Sequence, residues 1–117
     1  MKKINELGKY GEKLGVNILN QMGFTTRFEA LDRGFHGQSS YDILARKLGI
    51  KYAINIKYGN TFVIQARNVE RLLQIKDEHG YIPAYLFIGS PQHAWLFSLD
   101  KILTQLEPLN MKLGLYQ

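Results

Sequence analysis

The stretch YDILARKLGIKYAINIKYG, residues 41–59, decides how this chain folds. It reads as two strands, YDILARK and KYAINIKYG, with LGI turning between them. Side chains alternate along a strand, so Tyr52, Ile54, Ile56 and Tyr58 share one face while Ala53, Asn55 and Lys57 share the other. The first set is a core face; the second puts an amide next to an ammonium. Asp42 stands near the start of the first strand, where a hairpin brings it alongside Asn55 or Lys57. Taken singly, Asp42 can simply begin a strand and Lys57 can simply be solvated. Their meeting at one end of a hairpin is what points to chemistry.

Upstream, residues 4 to 22 have helical periodicity, with Ile4, Leu7, Leu14, Ile18, Leu19 and Met22 on one side and Lys9, Lys13 and Asn20 on the other. Gly23 is placed to cap this helix. Gly8, Gly11 and Gly15 fall within a wedge of about 60° on the apolar side. Each glycine inside a helix costs roughly 1 kcal/mol relative to alanine, so three on one side predict close backbone approach by a sheet or a ligand. Glu12 borders that face and can lean over the sheet toward Asp42.

The rest of the chain supplies a strand at TTRFEALD (25–32), a Gly-rich loop, and a helix over about 65–79 with Val69, Leu72, Leu73 and the stem of Lys76 turned inward and Gly80 past its end. The apolar runs PAYLFIG and AWLFSL are strands, and a last helical segment starts near Asp100 as N-cap and stops before Pro108. TFVI at 61–64 is a candidate short strand beside the hairpin. The order α-β-β-β-α-β-β-α predicts an α/β fold, a mixed sheet with helices packed on it. The 117 residues suit one domain, 1–117.

Composition narrows the class. Hydrophobic residues make up 45% and charged residues 21%, which excludes disordered and collagen-like chains. The absence of cysteine excludes disulfides and cysteine zinc sites. No apolar run reaches membrane-spanning length, and MKKINELGKYGEK lacks a signal-peptide core, which gives a cytoplasmic expectation with no membrane partner. The net charge of +5 favours polyanionic partners.

At this point the chain resembles the archaeal Holliday junction resolvases of the PD-(D/E)xK nuclease superfamily. GEKLGVNILNQMGF resembles the family's first helix, whose glutamate precedes a closing Gly-Phe pair; here it is Glu12. The hairpin at 41–59 resembles the family's Asp-containing strand, turn and Glu-x-Lys strand. NVERLLQIKDEHGYIPAYLFIGSPQHAWLFSLDKI resembles the following helix, the Gly-x-x-Pro approach to a strand, and the Trp-x-Phe strand before a short terminal helix.

That resemblance implies a restriction-endonuclease-like fold and a homodimeric, Mg²⁺-dependent endonuclease that cuts four-way DNA junctions. Mn²⁺ is a possible substitute. Glu12, Asp42 and Lys57 are then the catalytic residues, with Glu12, Asp42 and Asn55 around the metal and Lys57 orienting the attacking water or stabilising phosphate charge. Asparagine at 55 departs from the family's acid: it can ligate Mg²⁺ through its carbonyl oxygen but brings no negative charge. Three outcomes follow: weaker metal binding with activity kept, substitution by an acid such as Glu29 or Glu70, or a fold retained only for DNA binding. A restriction or repair nuclease acting on linear duplex is the neighbouring enzyme reading. The loop DRGFHGQSSYD is longer than the family's, and Ser39 and Ser40 do not align with the family's loop serine.

Lys9, Lys13, Arg27, Arg33, Arg46, Lys47 and Lys51 flank the site-bearing elements and are candidate phosphate contacts, joined by Ser39 in the loop. His36, His79 and His93 show no metal-ligand spacing, and GKYGEKLG lacks the ending of a phosphate loop. The aromatic residues read mainly as core or subunit contact, with a stacking platform for single-stranded nucleic acid as the alternative.

Overall fold

A computed structural model describes residues 2–27, 41–59, 64–90, 93–104 and 115–116. Helix α1 runs Lys2–Gln21, followed by strands β1 (Thr25–Arg27), β2 (Ile43–Lys47), β3 (Ile50–Tyr58) and β4 (Ile64–Gln65). Helix α2 spans Ala66–His79, followed by β5 (Ile82–Ser90), β6 (His93–Ser98), a helical segment over 99–104, and β7 (Leu115–Tyr116). Among the described residues, five strands form one sheet in the order β1-β2-β3-β5-β6. All neighbours are antiparallel except β3 and β5, which run parallel and are connected through α2. The predicted element order holds, with two additional two-residue strands, β4 and β7, paired in parallel.

The hairpin forms as its sequence dictates. Lys47 pairs with Ile50 across a two-residue turn in which Leu48 has φ 53° and Gly49 φ 79°. Positive φ at both positions is the geometry whose twist matches a β-hairpin. The opening helix closes as GF suggested. Gly23 takes φ 94°, its N–H donates to the Asn20 carbonyl at 3.1 Å, and the Phe24 N–H reaches the Leu19 carbonyl at 2.9 Å. This pattern satisfies carbonyls that the helix end would otherwise orphan.

Alternation along β3 divides the core in two. Ile54 packs with Leu19, Phe24, Ile43, Ala84, Leu86 and Ile88 on the α1 side. Ala53 packs with Leu44, Val69, Leu72, Ile75, Tyr85 and Phe87 on the α2 side. The glycines of α1 permit the first packing: a Cβ on Gly11 would meet the Tyr58 Cβ at 2.9 Å, and one on Gly15 would meet the Ile56 Cδ1 at 2.6 Å.

Two local expectations are corrected. The α2 stripe buries Val69, Leu72 and Ile75, whereas Lys76 is exposed and pairs with Asp100 at 3.4 Å. The last helical segment begins one residue before Asp100, and the Ser98 hydroxyl accepts the Lys101 N–H at 3.3 Å, so serine is the cap. The strand at 25–32 is described only over Thr25–Arg27; residues 28–40, with Glu29, Arg33, His36 and Ser39, lie outside the described residues, as do 61–63 of the TFVI segment.

Candidate functional site

Register places the site. Ile43 pairs with Ile54, so Asp42 enters β2 opposite the stretch of β3 that carries Asn55. The Asp42 N–H donates to the Ile54 carbonyl at 2.9 Å, and its Oδ2 accepts the Ile56 N–H at 2.6 Å. Both ends of the residue are therefore fastened to β3. Burial pushes the Asp42 carboxyl above its ordinary value; the Ile56 amide opposes this, the Glu12 charge adds to it, and the Lys57 charge partly offsets it. Glu12 thus acts on Asp42 from α1 while Lys57 acts on it from β3. The glycines explain how a helix on one face delivers a carboxylate to the sheet: Gly11, next to Glu12, leaves no side chain between α1 and Tyr58.

Asn55 is buried, with 9% of its surface exposed. Its Nδ2 donates to the Asn68 Oδ1 at 3.4 Å, and that same oxygen accepts the Tyr85 hydroxyl. Tyr85 is the register partner of Asn55 on β5. It is fully buried, stacked on Phe87 at 5.8 Å, and its hydroxyl is held well above the ordinary phenol range by burial and by the Asp42 charge. A neutral hydrogen-bonded set therefore occupies the ground behind Asp42 where an acid was the family expectation. Sequence reading missed Asn68 and Tyr85. The signal for Tyr85 was its position on the strand parallel to β3; Asn68, in the first turn of α2, gave none without the crossover geometry.

For a hard cation the candidate oxygen donors are the Glu12 and Asp42 carboxylates and the Asn55 amide, ligand types that Mg²⁺ accepts. Two carboxylates close enough to act on one another at a partly buried place suit a divalent ion; burial first, and the Glu12 charge after it, hold the Asp42 carboxyl above its ordinary value. Among the described residues no group of three His, Cys, Asp or Glu surrounds a common centre. Glu70 lies exposed on α2.

No family model matches the chain, and neither does any curated protein sequence. Its backbone is similar to the structure of Archaeoglobus fulgidus Hjc, a Holliday junction resolvase from an archaeal hyperthermophile. The TM-score is 0.64 at 19% identity, covering 79% of this chain and 77% of that one. The fold is restriction-endonuclease-like. Within that fold Asp42 immediately precedes β2, and Asn55 and Lys57 lie two apart on β3. The candidate phosphate contacts divide. Lys13 and Arg46 are exposed, and Arg27 donates to the Tyr81 hydroxyl at 3.4 Å. Lys47 is engaged locally, donating to the Met22 carbonyl at 2.7 Å at the end of α1 and lying 5.4 Å from the Phe24 ring centre.

Proposed function

We propose that the chain is a single-domain, cytoplasmic, metal-dependent DNA endonuclease of the Holliday junction resolvase type, acting as a homodimer on branched DNA. The observation that carries this reading is Asp42, fastened to β3 opposite Asn55 and close to Lys57, with the Glu12 carboxylate near enough for its charge to act on it. The resolvase fold of the structural neighbour supports it.

In this reading Glu12 and Asp42, with the Asn55 amide, hold Mg²⁺ or Mn²⁺. The bound ion would polarise the phosphodiester and lower the pKa of a bound water. Asp42 is held in one rotamer by the Ile56 N–H, so its second oxygen has a fixed direction. The Lys57 ammonium stabilises negative charge where it develops on the phosphate. Asn68 and Tyr85 position the amide of Asn55 from behind.

A second reading has its own observation. The Asn55–Asn68–Tyr85 set is neutral and mutually hydrogen-bonded, as suits a nuclease fold that binds DNA without cutting it. Cleavage of a labelled four-way junction and a matched linear duplex, with Mg²⁺ and then Mn²⁺, separates the two readings. The resolvase reading expects wild type to cut the junction and Lys57→Ala to bind it uncut. Junction binding with no cleavage by wild type selects the second reading. No binding even at low salt removes both.

A further inference from the structure

Strand pairing gathers three cations at the β1–β2 margin of the sheet. Thr25 pairs with Arg46 and Arg46 with Lys51, while Arg27 pairs with Leu44 and Leu44 with Ala53. Residues directly opposite across a ladder share a face, so Thr25, Arg27, Arg46 and Lys51 stand on the Leu44 side, the face that carries Asn55 and Lys57. A pocket of about 280 Å³ opens among them, with Tyr81 also in its lining. The Tyr81 ring centre is 5.5 Å from the Lys51 ammonium, and its hydroxyl accepts the Arg27 guanidinium at 3.4 Å. One aromatic residue therefore organises two of the cations.

Like charges directly opposite on neighbouring strands destabilise a sheet. Arg46 and Lys51 are such a pair, both exposed, and among the described residues neither forms an ion pair and no acid lines the pocket. An anion would turn this repulsion into attraction. The volume leaves room for a phosphate group and the chain on either side of it.

We propose that this pocket is a phosphate-binding site whose occupant is a backbone phosphodiester of DNA, an inference that rests on the DNA-directed reading above. Its position favours that source. Leu44 and Arg46 lie two and four residues beyond Asp42, about 7 and 13 Å along the strand. That span is of the order of a few phosphates of one DNA strand, so a phosphodiester chain held at Asp42 reaches as far as the pocket.

The test compares wild type with the double variant Arg46→Gln/Lys51→Gln. Thermal melting is followed in phosphate and in chloride at matched pH and ionic strength, and metal-free binding of labelled duplex DNA is titrated against salt. General stabilisation by phosphate cancels in the comparison between proteins. The variant is expected to lose the additional rise in Tm that phosphate gives wild type, and its dependence of log affinity on log salt is expected to flatten by about 0.9, one phosphate contact. In chloride it melts no lower than wild type, because a like-charge pair is gone. The swap Arg46→Lys/Lys51→Arg keeps both responses, and Arg46→Gln alone repeats the comparison if the double variant folds poorly. Unchanged phosphate response and unchanged slope overturn the pocket. A lost phosphate response with an unchanged slope assigns it to free phosphate and overturns the DNA occupant. If wild type binds no DNA yet the variant loses the phosphate response, the DNA-directed reading fails and the phosphate pocket stands.

Discussion

Gly11 and Tyr58 approach so closely that a Cβ on the glycine would stand 2.9 Å from the Cβ of the tyrosine. The Tyr58 Cβ is fixed to the backbone of β3, so relief has to come from the helix. Gly11→Ala is expected to lift α1 and the adjoining Glu12 away from the sheet. Overpacking of this kind costs about 1–3 kcal/mol, against a gain of about 1 kcal/mol in helix propensity. Urea denaturation should show a net loss of up to about 2 kcal/mol. Gly15→Ala should cost less, because its nearest contact is the Ile56 Cδ1, the tip of a side chain that can turn.

Asp42 gives the protein an acid-side pH dependence. Its carboxyl is raised in the folded state, chiefly by burial and further by Glu12, so the fold holds that proton more tightly than the unfolded chain does. The stability this contributes is complete below the unfolded carboxylate value, about 3.9. It is lost as pH rises through the raised folded value. Asp42→Asn keeps an acceptor for the Ile56 N–H and should remove that slope, so the variant's stability relative to wild type increases from about pH 4 upward. Under the proposed function, Mg²⁺ raises the Tm of wild type at neutral pH and leaves Asp42→Asn unmoved. Melting curves over a pH series with and without Mg²⁺ check both.

Restoring an acid at position 55 should destabilise the apo protein. Asn68 Oδ1 now accepts from the Asn55 amide and the Tyr85 hydroxyl. Aspartate at 55 removes one donor and adds a second buried negative charge near Asp42. A buried polar group left without its partner costs about 1–3 kcal/mol, and Asn55→Asp should fall in or above that range by chemical denaturation. Tyr85→Phe removes one neutral hydrogen bond from the same oxygen and should cost only about 0.5–1.5 kcal/mol.

Lys47 should report on stability more than on nucleic acid. Its ammonium meets the Met22 carbonyl at the C-terminal end of α1, where positive charge is worth about 0.3–1 kcal/mol. Lys47→Ala is expected to lower stability by about that amount, read by urea denaturation, while the salt dependence of DNA binding stays the same.

The hairpin and its polar set were legible because strand alternation and a two-residue turn are local properties. The glycine wedge of α1 was legible for a related reason: its helix-propensity cost has no local return, so it signals a neighbour. Ile75 and Lys76 sit side by side on α2, and helical periodicity alone did not decide which one turned inward; the apolar gain of burying Ile75 did, and Lys76 pairs with Asp100 at the surface. Asn68 and Tyr85 became neighbours of Asn55 only through the α2 crossover and the parallel β3–β5 register. The opposed cations of Arg46 and Lys51 follow from the hairpin register, yet their significance depends on β1 and Tyr81 closing a pocket around them.

The hydrogen bond from the Ile56 amide to the Asp42 carboxylate has a meaning for folding as well. A hairpin that slips by one residue exchanges its two faces, which would send Asn55 and Lys57 into the apolar layer under α1. The same slip would leave Asp42 without its amide and half-buried. Assembly of the site and proofreading of the strand register are thus one event: a chain that folds into the wrong alignment has no site to present.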